Sequence, residues 1–220
     1  MQTQQSLSQN LKYNPFAAYY FDGIILIGYE KSKLGMLNLN LLEQNGVPEQ
    51  EHNCPLESPI CDVALSAKYV AVATVDGRIY FAEIEWKAET KQFSFKDLIA
   101  FKAHRKEVSK DKQKQSQGKE ENELFCINSI GFNVRFEMWL FSLGNDGIGY
   151  FWDCKSKNKI SCFQYDKLPA CKGKCSADGQ VFVYCLGYDW SQGIWGCPSV
   201  NYRPKLCAHL VTGKELEHSK

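Results

Sequence analysis

Short apolar runs separated by turn residues dominate the chain. Apolar, β-branched and aromatic residues alternate with polar ones, and the runs end at Gly, Asn or Asp. Alternation with a period of two is typical of strands that bury one face, whereas no long segment keeps an apolar stripe at helical spacing. The pattern predicts an all-β chain.

The runs also recur along the chain, in four segments: "GIILIGYEKSKLGMLNLNL" from Gly23, "YVAVATVDGRIYFAEIE" from Tyr69, "MWLFSLGNDGIGYFWDC" from Met138 and "QVFVYCLGYDWSQGIWGC" from Gln180. The second and third consist of a strand, a Gly-containing turn and a second strand, which predicts a hairpin. A further short strand precedes the last three segments, and "KISCFQY" follows the third. Four strands per unit, repeated at about forty to forty-five residues, predict blades of a β-propeller.

One interval between the repeats is too long, and the excess lies in the polar, lysine-rich stretch "RKEVSKDKQKQSQGKEENE". A segment with so few apolar residues cannot offset the entropy of ordering. We therefore predict a propeller over residues 19–212 with a disordered insertion at 106–123, a flexible N-terminus over 1–18 and a flexible tail over 213–220.

Composition and charge narrow the function classes only slightly. Lys and Arg total 26 against 25 Asp and Glu, so the whole-chain charge gives no reason to expect nucleic acid, although a local basic patch would. The N-terminus has no basic leader followed by an apolar run, and the apolar stretches are too short to cross a bilayer, which predicts a cytosolic or nuclear protein without membrane insertion. We interpret the ten cysteines as reduced thiols, mostly buried as small hydrophobes.

Four residues have the spacing of the polar network that joins the strands of a WD-repeat blade. Ser142, Asp146 and Trp152 have the right offsets, and His104 is the fourth member if the insertion lies between. The set also contains the residue types of a hydrolase triad. Buried and mutually hydrogen-bonded, however, the four would form a structural tetrad, so we predict no catalytic residue and no enzyme.

Metal and phosphate chemistry have weaker signals. Cys171 and Cys175 in "CKGKC" have no second Cys or His pair at a finger-like distance, so packed thiols are favoured over zinc. The Gly-rich "GNDGIG" lacks a following helix and a Lys-Ser or Lys-Thr pair, which argues against a phosphate loop. We predict no metal and no cofactor.

An ordered series of motifs resembles a known family. "FKAHR", "INSIGFN", "GNDGIGYFWD" and "GYDWSQG" follow one another as in the WD-repeat family of the nuclear-pore mRNA export factor and the mitotic-checkpoint protein that binds checkpoint kinases. "TVDGRIYFAEIE" and "DGIILIGYEKSKLGMLNLNL" resemble the preceding strands of that family, so the resemblance covers about residues 20–210. The "YDWS" piece favours the export factor over the checkpoint protein.

The resemblance implies a scaffold without catalytic activity. Family members are seven-bladed propellers that bind a short GLEBS-type segment, from a nucleoporin or a checkpoint kinase, across the top face. It implies a location in the nucleus, at the nuclear envelope and pore, or in the cytoplasm; the alternative is a spindle-checkpoint scaffold at kinetochores. Arg78, Lys102 and Arg105 match basic positions that receive acidic groups of the partner, although solvated turn residues would look the same.

A second surface follows from the same resemblance. Trp190, with Tyr188 beside it, matches an exposed edge that the family uses for nucleic acid or a protein partner. Gln192 replaces the family's Lys and Gly149 stands where the export factor has a Phe, and both changes weaken the case for RNA. An RNA-binding fragment is therefore the second alternative.

The chain is too short for the family's whole propeller. It supplies about three and a half blades, matching the C-terminal half of a seven-bladed protein. A half propeller exposes unpaired sheet faces, which invite association. Three interpretations stay open: a fragment, a split propeller completed by another chain, and a half that pairs with itself.

Overall fold

The computed structural model describes residues 10–41, 49–107, 122–156, 158–197, 203–212 and Glu215. These residues form strands joined by turns, with three short 3-10 helices at Glu30–Ser32, Leu39–Leu41 and Ile194–Gly196. None of the helices in this part of the chain is long and apolar enough to span a membrane.

Four antiparallel sheets follow one another along the chain, and each is one blade. Blade 1 contains β1 (Pro15–Phe21), β2 (Ile24–Tyr29), β3 (Lys33–Asn38) and β4 (Glu49–Asn53). Blade 2 contains β5 (Ile60–Leu65), β6 (Tyr69–Thr74), β7 (Arg78–Lys87) and β8 (Gln92–Lys102). A two-stranded ribbon of β9 (Arg105–Glu107) and β10 (Asn122–Leu124) comes next.

The last two blades differ in strand number. Blade 3 contains β11 (Ile127–Asn133), β12 (Phe136–Gly144), β13 (Gly149–Asp153) and β14 (Asn158–Phe163). Blade 4 contains β15 (Ala170–Cys175), β16 (Val181–Leu186) and β17 (Lys205–Leu210). The prediction of an all-β propeller with about three and a half blades is confirmed.

The hydrophobic core lies between the blades, because successive side chains of a strand point toward opposite neighbouring blades. On β6, Val70 and Val72 pack toward blade 1, whereas Ala71 and Ala73 pack toward blade 3. Both faces of this strand are therefore buried, as stacking in a repeat architecture requires. A third core between blades 3 and 4 is largely aromatic and includes Trp139, Phe141, Phe151, Phe182 and Tyr184.

A carboxylate ties three blades together along their inner strands. The side chain of Asp62 on β5 accepts the Ile130 backbone N–H of β11 at 3.0 Å and the Lys172 ammonium of β15 at 2.7 Å. Asp62 is buried, so these bonds compensate its desolvation. No local sequence pattern marks Asp62 for this role.

The outward faces of the two end blades differ. On blade 1, Ile27, Tyr29 and Leu37 are buried because Leu11 and Tyr13 of the preceding segment pack over them. On blade 4, the face that points away from blade 3 is exposed. We call this surface the blade 4 face; it consists of Val183, Cys185, Leu206, Ala208 and Leu210, with the exposed Lys172 and Lys174 of β15 at its inner edge.

Three features of the structure lie within the segments predicted as flexible or disordered. β1 begins at Pro15, inside the segment predicted as a flexible N-terminus, because its residues pair with β2. The ends of the predicted insertion pair as β9 and β10, while 108–121 lie outside the described residues. Within the predicted tail, the Glu215 carboxylate is buried and accepts Ser161 Oγ–H at 2.7 Å and Thr212 N–H at 2.8 Å.

The prediction that most of the ten cysteines are buried is wrong. All ten thiols are free. Only Cys54, Cys154 and Cys175 are buried, however, and the others are partly or fully exposed: Cys61, Cys126, Cys162, Cys171, Cys185, Cys197 and Cys207. Packing therefore does not explain most of them.

Candidate functional site

One end of the propeller collects nearly all the predicted site residues. We call it the connection face, because the chain passes there from one blade to the inner strand of the next, at the starts of β5, β11 and β15. Since the strands of each blade are antiparallel, the turn between the second and third strands reaches the same end. Side chains far apart in sequence are thereby brought to one surface.

The three predicted partner-binding residues surround the turn at Gly77. Arg78 begins β7 and lies opposite Lys102, the last residue of β8. The Gly77 carbonyl accepts the backbone N–H groups of Ala103 and His104 at 2.8 and 3.1 Å, and Arg105 follows directly. The structure thus brings Arg78, Lys102 and Arg105 together as a basic cluster on the connection face.

This basic cluster is only partly neutralised. The Arg78 Nε atom lies 3.0 Å from the Asp76 carboxylate, which also accepts the Thr74 hydroxyl at 2.6 Å. Among the described residues, the Nε atoms of Arg78 and Arg105 are buried and have no partner in hydrogen-bond geometry. The Arg78 side chain is 42% exposed and Lys102 is exposed, so the cluster can reach a ligand from solvent.

The four residues of the predicted tetrad also meet, one layer below this surface. His104 Nδ1 lies 3.0 Å from the Asp146 carboxylate, and His104 Nε2 lies 2.8 Å from Ser142 Oγ. The Trp152 Nε1–H donates to the same hydroxyl oxygen at 2.8 Å. His104 and Ser142 are fully buried, and Gly144 leaves room for the imidazole, since a Cβ at that position would overlap His104 Nδ1.

The bonding order of this tetrad follows from its donors and acceptors. A carboxylate only accepts, so the proton of a neutral imidazole lies on Nδ1 and is donated to Asp146. Nε2 then accepts the Ser142 hydroxyl hydrogen, and the Ser142 oxygen accepts from Trp152. Asp146 additionally accepts the Ile148 backbone N–H at 3.0 Å. Every polar group is satisfied, which suits a buried network.

The predicted aromatic edge lies on the loop between β16 and β17. Tyr188 donates its hydroxyl hydrogen to the Gly193 carbonyl at 2.5 Å, and its ring centroid lies 5.4 Å from that of Trp190. Trp190 is 61% exposed, and its positive φ of 61° is a conformation that few residues other than glycine adopt. The Asn128 side chain donates to the Asp189 carboxylate at 3.1 Å and anchors the loop to blade 3.

Sequence reasoning missed two members of this edge. Ile194 is 68% exposed and Trp195 is 96% exposed, on the same loop as Trp190. The signal was present in "SQGIWG", where two large apolar residues stand in a Gly-flanked loop without strand periodicity. The edge is therefore larger and more apolar than predicted.

The sequence of the chain is similar to those of several known proteins. No family model matches the chain. It is 26% identical over 147 residues to the mRNA export factor GLE2 of Chaetomium thermophilum, and 31% identical over 98 residues to the protein Rae1 of Drosophila melanogaster. The matched segments cover 67% and 44% of this chain. The resemblance to the WD-repeat mRNA export factors is confirmed.

These mRNA export factors are much longer than the matched region. The alignments span 36% of GLE2 and 25% of Rae1, so the matched part of the chain corresponds to about a third of such a protein or less. Among solved structures, the β-propeller domain of Cps50 (Swd1) from Myceliophteria thermophila superposes with a TM-score of 0.57 at 11% identity. That match covers 80% of this chain and 48% of the other, and it supports the fold alone.

Two positions at which the resemblance indicated a departure, Gly149 and Gln192, lie in different surroundings. Gly149 is buried opposite Phe163, whose ring fills the space that a Cβ would take. Gln192 lies on the exposed loop beside Trp190, and its side chain is uncharged.

The residues around "CKGKC" do not assemble a metal site. Cys171 and Cys175 stand at opposite ends of β15, about 13 Å apart at the usual rise of a strand. Burial raises the pKa of the Cys175 thiol to about 12, which disfavours the thiolate that zinc requires. Among the described residues, no group of three His, Cys, Asp or Glu side chains could hold a metal ion.

Proposed function

We propose that this chain is a WD-repeat interaction scaffold of mRNA export that binds a short acidic segment, the GLEBS-type segment of a nucleoporin, on its connection face. The observation that carries the proposal is the basic cluster of Arg78, Lys102 and Arg105 around one turn. The names of the relatives, which are mRNA export factors, support the process. The proposed function places the protein in the nucleus, at the nuclear pore.

The chemistry of the basic cluster supports an acidic ligand. Arg guanidinium groups hold carboxylates through two parallel hydrogen bonds, which gives direction as well as attraction. A carboxylate of the partner would compete with Asp76 for Arg78, and Lys102 would add a point charge beside it. Such charge pairs at a partly desolvated surface contribute more than pairs in open solvent.

The proposal includes no catalytic step. The His104, Ser142 and Asp146 side chains that might suggest hydrolysis are buried, and their hydrogen bonds are used within the tetrad. The Ser142 hydroxyl donates to His104 and accepts from Trp152, so its position suits blade stability rather than attack on a substrate. A checkpoint role at kinetochores is the alternative within the scaffold class, and the names of the relatives favour export.

Binding of a synthetic GLEBS-type acidic peptide tests the proposal. We expect the triple variant Arg78→Ala, Lys102→Ala, Arg105→Ala to lower the affinity at least about tenfold, which corresponds to about 1.4 kcal/mol. Arg135→Ala is the matched control, because Arg135 lies in the β11–β12 turn at the opposite end of the propeller. Equal affinity of the triple variant and the wild type, or no binding by either, would contradict the proposal.

RNA binding is the second candidate function, favoured by the exposed Trp190 and Trp195 on the connection face. Bases stack on exposed aromatic rings, and contacts between phosphates and basic side chains would make the binding salt-dependent. The same proteins are therefore assayed against single-stranded RNA at two salt concentrations. Salt-sensitive RNA binding without peptide binding would replace the scaffold proposal with this one.

We also propose that the blade 4 face pairs with a second copy of the chain. Val183, Leu206 and Leu210 are 38%, 74% and 70% exposed, and they lie side by side on neighbouring strands. The equivalent faces of the other blades are covered by the next blade or, on blade 1, by the Leu11 and Tyr13 segment. Sheet-on-sheet packing through one shared face gives a two-fold symmetric contact.

A further inference from the structure

A repeated bulge marks the start of each inner strand. The register of the first strand pair of every blade shifts after its first residue, which leaves Phe16, Cys61, Asn128 and Cys171 as the extra residues. A bulge turns a side chain out of the sheet, and here two of these side chains point to the next blade. Asn128 donates to the Ala170 carbonyl of blade 4 at 3.1 Å, and Cys61 reaches Cys126 at the start of blade 3.

The Cys61 and Cys126 sulfur atoms lie 3.2 Å apart. A disulfide bond is about 2.0 Å long, so an approach of about 1.2 Å would join them. The backbone around each of the two cysteines is held in place. Cys61 stands between the buried residues Ile60 and Asp62, and the Cys126 carbonyl accepts the Asn145 backbone N–H at 3.0 Å.

This pair is distinguished from the other cysteines of the chain. Among the described residues, which include all ten cysteines, no other two sulfur atoms lie within hydrogen-bond distance. Both Cys61 and Cys126 are partly exposed, so a small reagent can reach them. Two exposed cysteines outside the blade 4 face, Cys162 and Cys197, provide unpaired references on the same protein.

We propose that Cys61 and Cys126 form a redox-modification site, at which a low-molecular-weight disulfide such as oxidised glutathione converts the two thiols into a disulfide that links blades 2 and 3. The nucleophile is Cys126. The hydrogen bond from the Cys61 thiol lowers the pKa of Cys126, whereas the pKa of Cys61 is raised. The thiolate is the attacking form in thiol–disulfide exchange, so this direction favours Cys126 as the sulfur that attacks first.

The chemistry balances in two exchanges. The Cys126 thiolate, whose proton has gone to water, attacks one sulfur of the small disulfide; that S–S bond breaks and one thiolate leaves. Cys61 then attacks the Cys126 sulfur, its proton passes to the first released thiolate, and the mixed disulfide breaks. The second released thiolate takes a proton from water. Two electrons pass from the protein to the reagent, which ends as two thiols.

The cross-link would act on the connection face. It closes a loop across 65 sequence positions that includes Arg78, Lys102 and Arg105. Cross-links that close long loops stabilise chiefly by restricting the unfolded chain. The oxidised protein should therefore melt several degrees above the reduced protein. This consequence does not depend on the proposed partner, so it can hold even if the acidic peptide fails to bind.

Peptide mapping of the intact chain tests the site. The reduced protein is treated with oxidised glutathione, free thiols are alkylated, and the digest is analysed by mass spectrometry. We expect a Cys61–Cys126 linked peptide, lighter by two hydrogens than the two reduced peptides, to form about tenfold faster than any other cysteine link. Cys61→Ser should stop at a glutathione adduct on Cys126, and Cys162→Ser should behave as the wild type.

Two results would overturn the proposal. The first is that Cys61 and Cys126 both stay open to alkylation while the exposed cysteines Cys162 and Cys197 carry glutathione. The second is that links between other cysteines form as fast. The wild-type map alone decides these points, so the test stands even if a variant folds poorly. Loss of the oxidation-dependent rise in melting temperature in Cys61→Ser provides the second measurement.

Discussion

At the scale of single residues, the hydroxyl of Ser142 shows how much one buried atom can organise. It donates to His104 and accepts from Trp152, so it joins the connection between two blades to the second and third strands of blade 3. His104 in turn holds Asp146, which positions the β12–β13 turn. A single hydroxyl thus links both strands of the β12–β13 hairpin to a connection that lies 38 positions earlier in the sequence.

Replacing Ser142 by Ala should lower the free energy of unfolding by about 1–3 kcal/mol, because the Trp152 N–H and the His104 Nε2 atom lose a buried partner. Urea unfolding followed by tryptophan fluorescence measures the change. Ser156→Ala is the control, since the Ser156 hydroxyl donates to Asp153 in an exposed turn. A loss no larger than that of the control would show that the tetrad does not stabilise the blade.

At the scale of elements, the turn at Gly77 carries the basic cluster. Gly77 has a φ of 73°, and a Cβ there would lie 2.5 Å from the His104 carbonyl oxygen and 2.8 Å from that of Phe125. Both contacts are with backbone, which cannot rotate away. The turn of blade 2 therefore fits against the connection to blade 3 only if this residue has no side chain.

Gly77→Ala should accordingly destabilise the protein by more than the left-handed backbone alone costs, which is about 1–2 kcal/mol. Gly23→Ala separates the two effects, because Gly23 also has a positive φ, of 79°, but its missing Cβ would meet only the Asn40 side chain, which can move aside. Thermal melting of both variants gives the comparison. Similar losses of stability would mean that the contact with the connection is unimportant.

The same elements show what the sequence could predict. The β6–β7 and β12–β13 hairpins follow from period-two alternation around an Asp-Gly turn, and the offsets of Ser142, Asp146 and Trp152 follow from that hairpin. These signals are local. β17, by contrast, pairs with β16 across a long loop, and the bulge at Cys61 depends on register with β6. Local patterns do not determine such long-range pairings, so the cysteine pair and the cover over blade 1 were not predicted.

At the scale of the whole molecule, the two ends of the blade series are unequal. Blade 1 ends in a covered face, with the Lys12 ammonium 2.9 Å from the Glu51 carboxylate and Tyr13 packed near Tyr29. Blade 4 ends in the exposed blade 4 face. Apolar sheet faces of this kind associate in water, because burial of apolar surface is favourable.

The isolated chain should therefore associate as its concentration rises. The double variant Leu206→Glu, Leu210→Glu should shift it toward the monomer, because charged side chains on the paired face would lose their hydration on contact. Light scattering over a range of concentrations measures the mass. Val134→Glu is the control, since Val134 is also exposed, at 63%, but lies in the β11–β12 turn at the opposite end from the connection face. A wild-type chain that stays monomeric at every concentration, or a Val134→Glu variant that dissociates as readily, would argue against pairing through the blade 4 face.

Because these substitutions lie far in sequence from Cys61 and Cys126, the mass measurement and the cross-linking measurement report on different parts of the molecule.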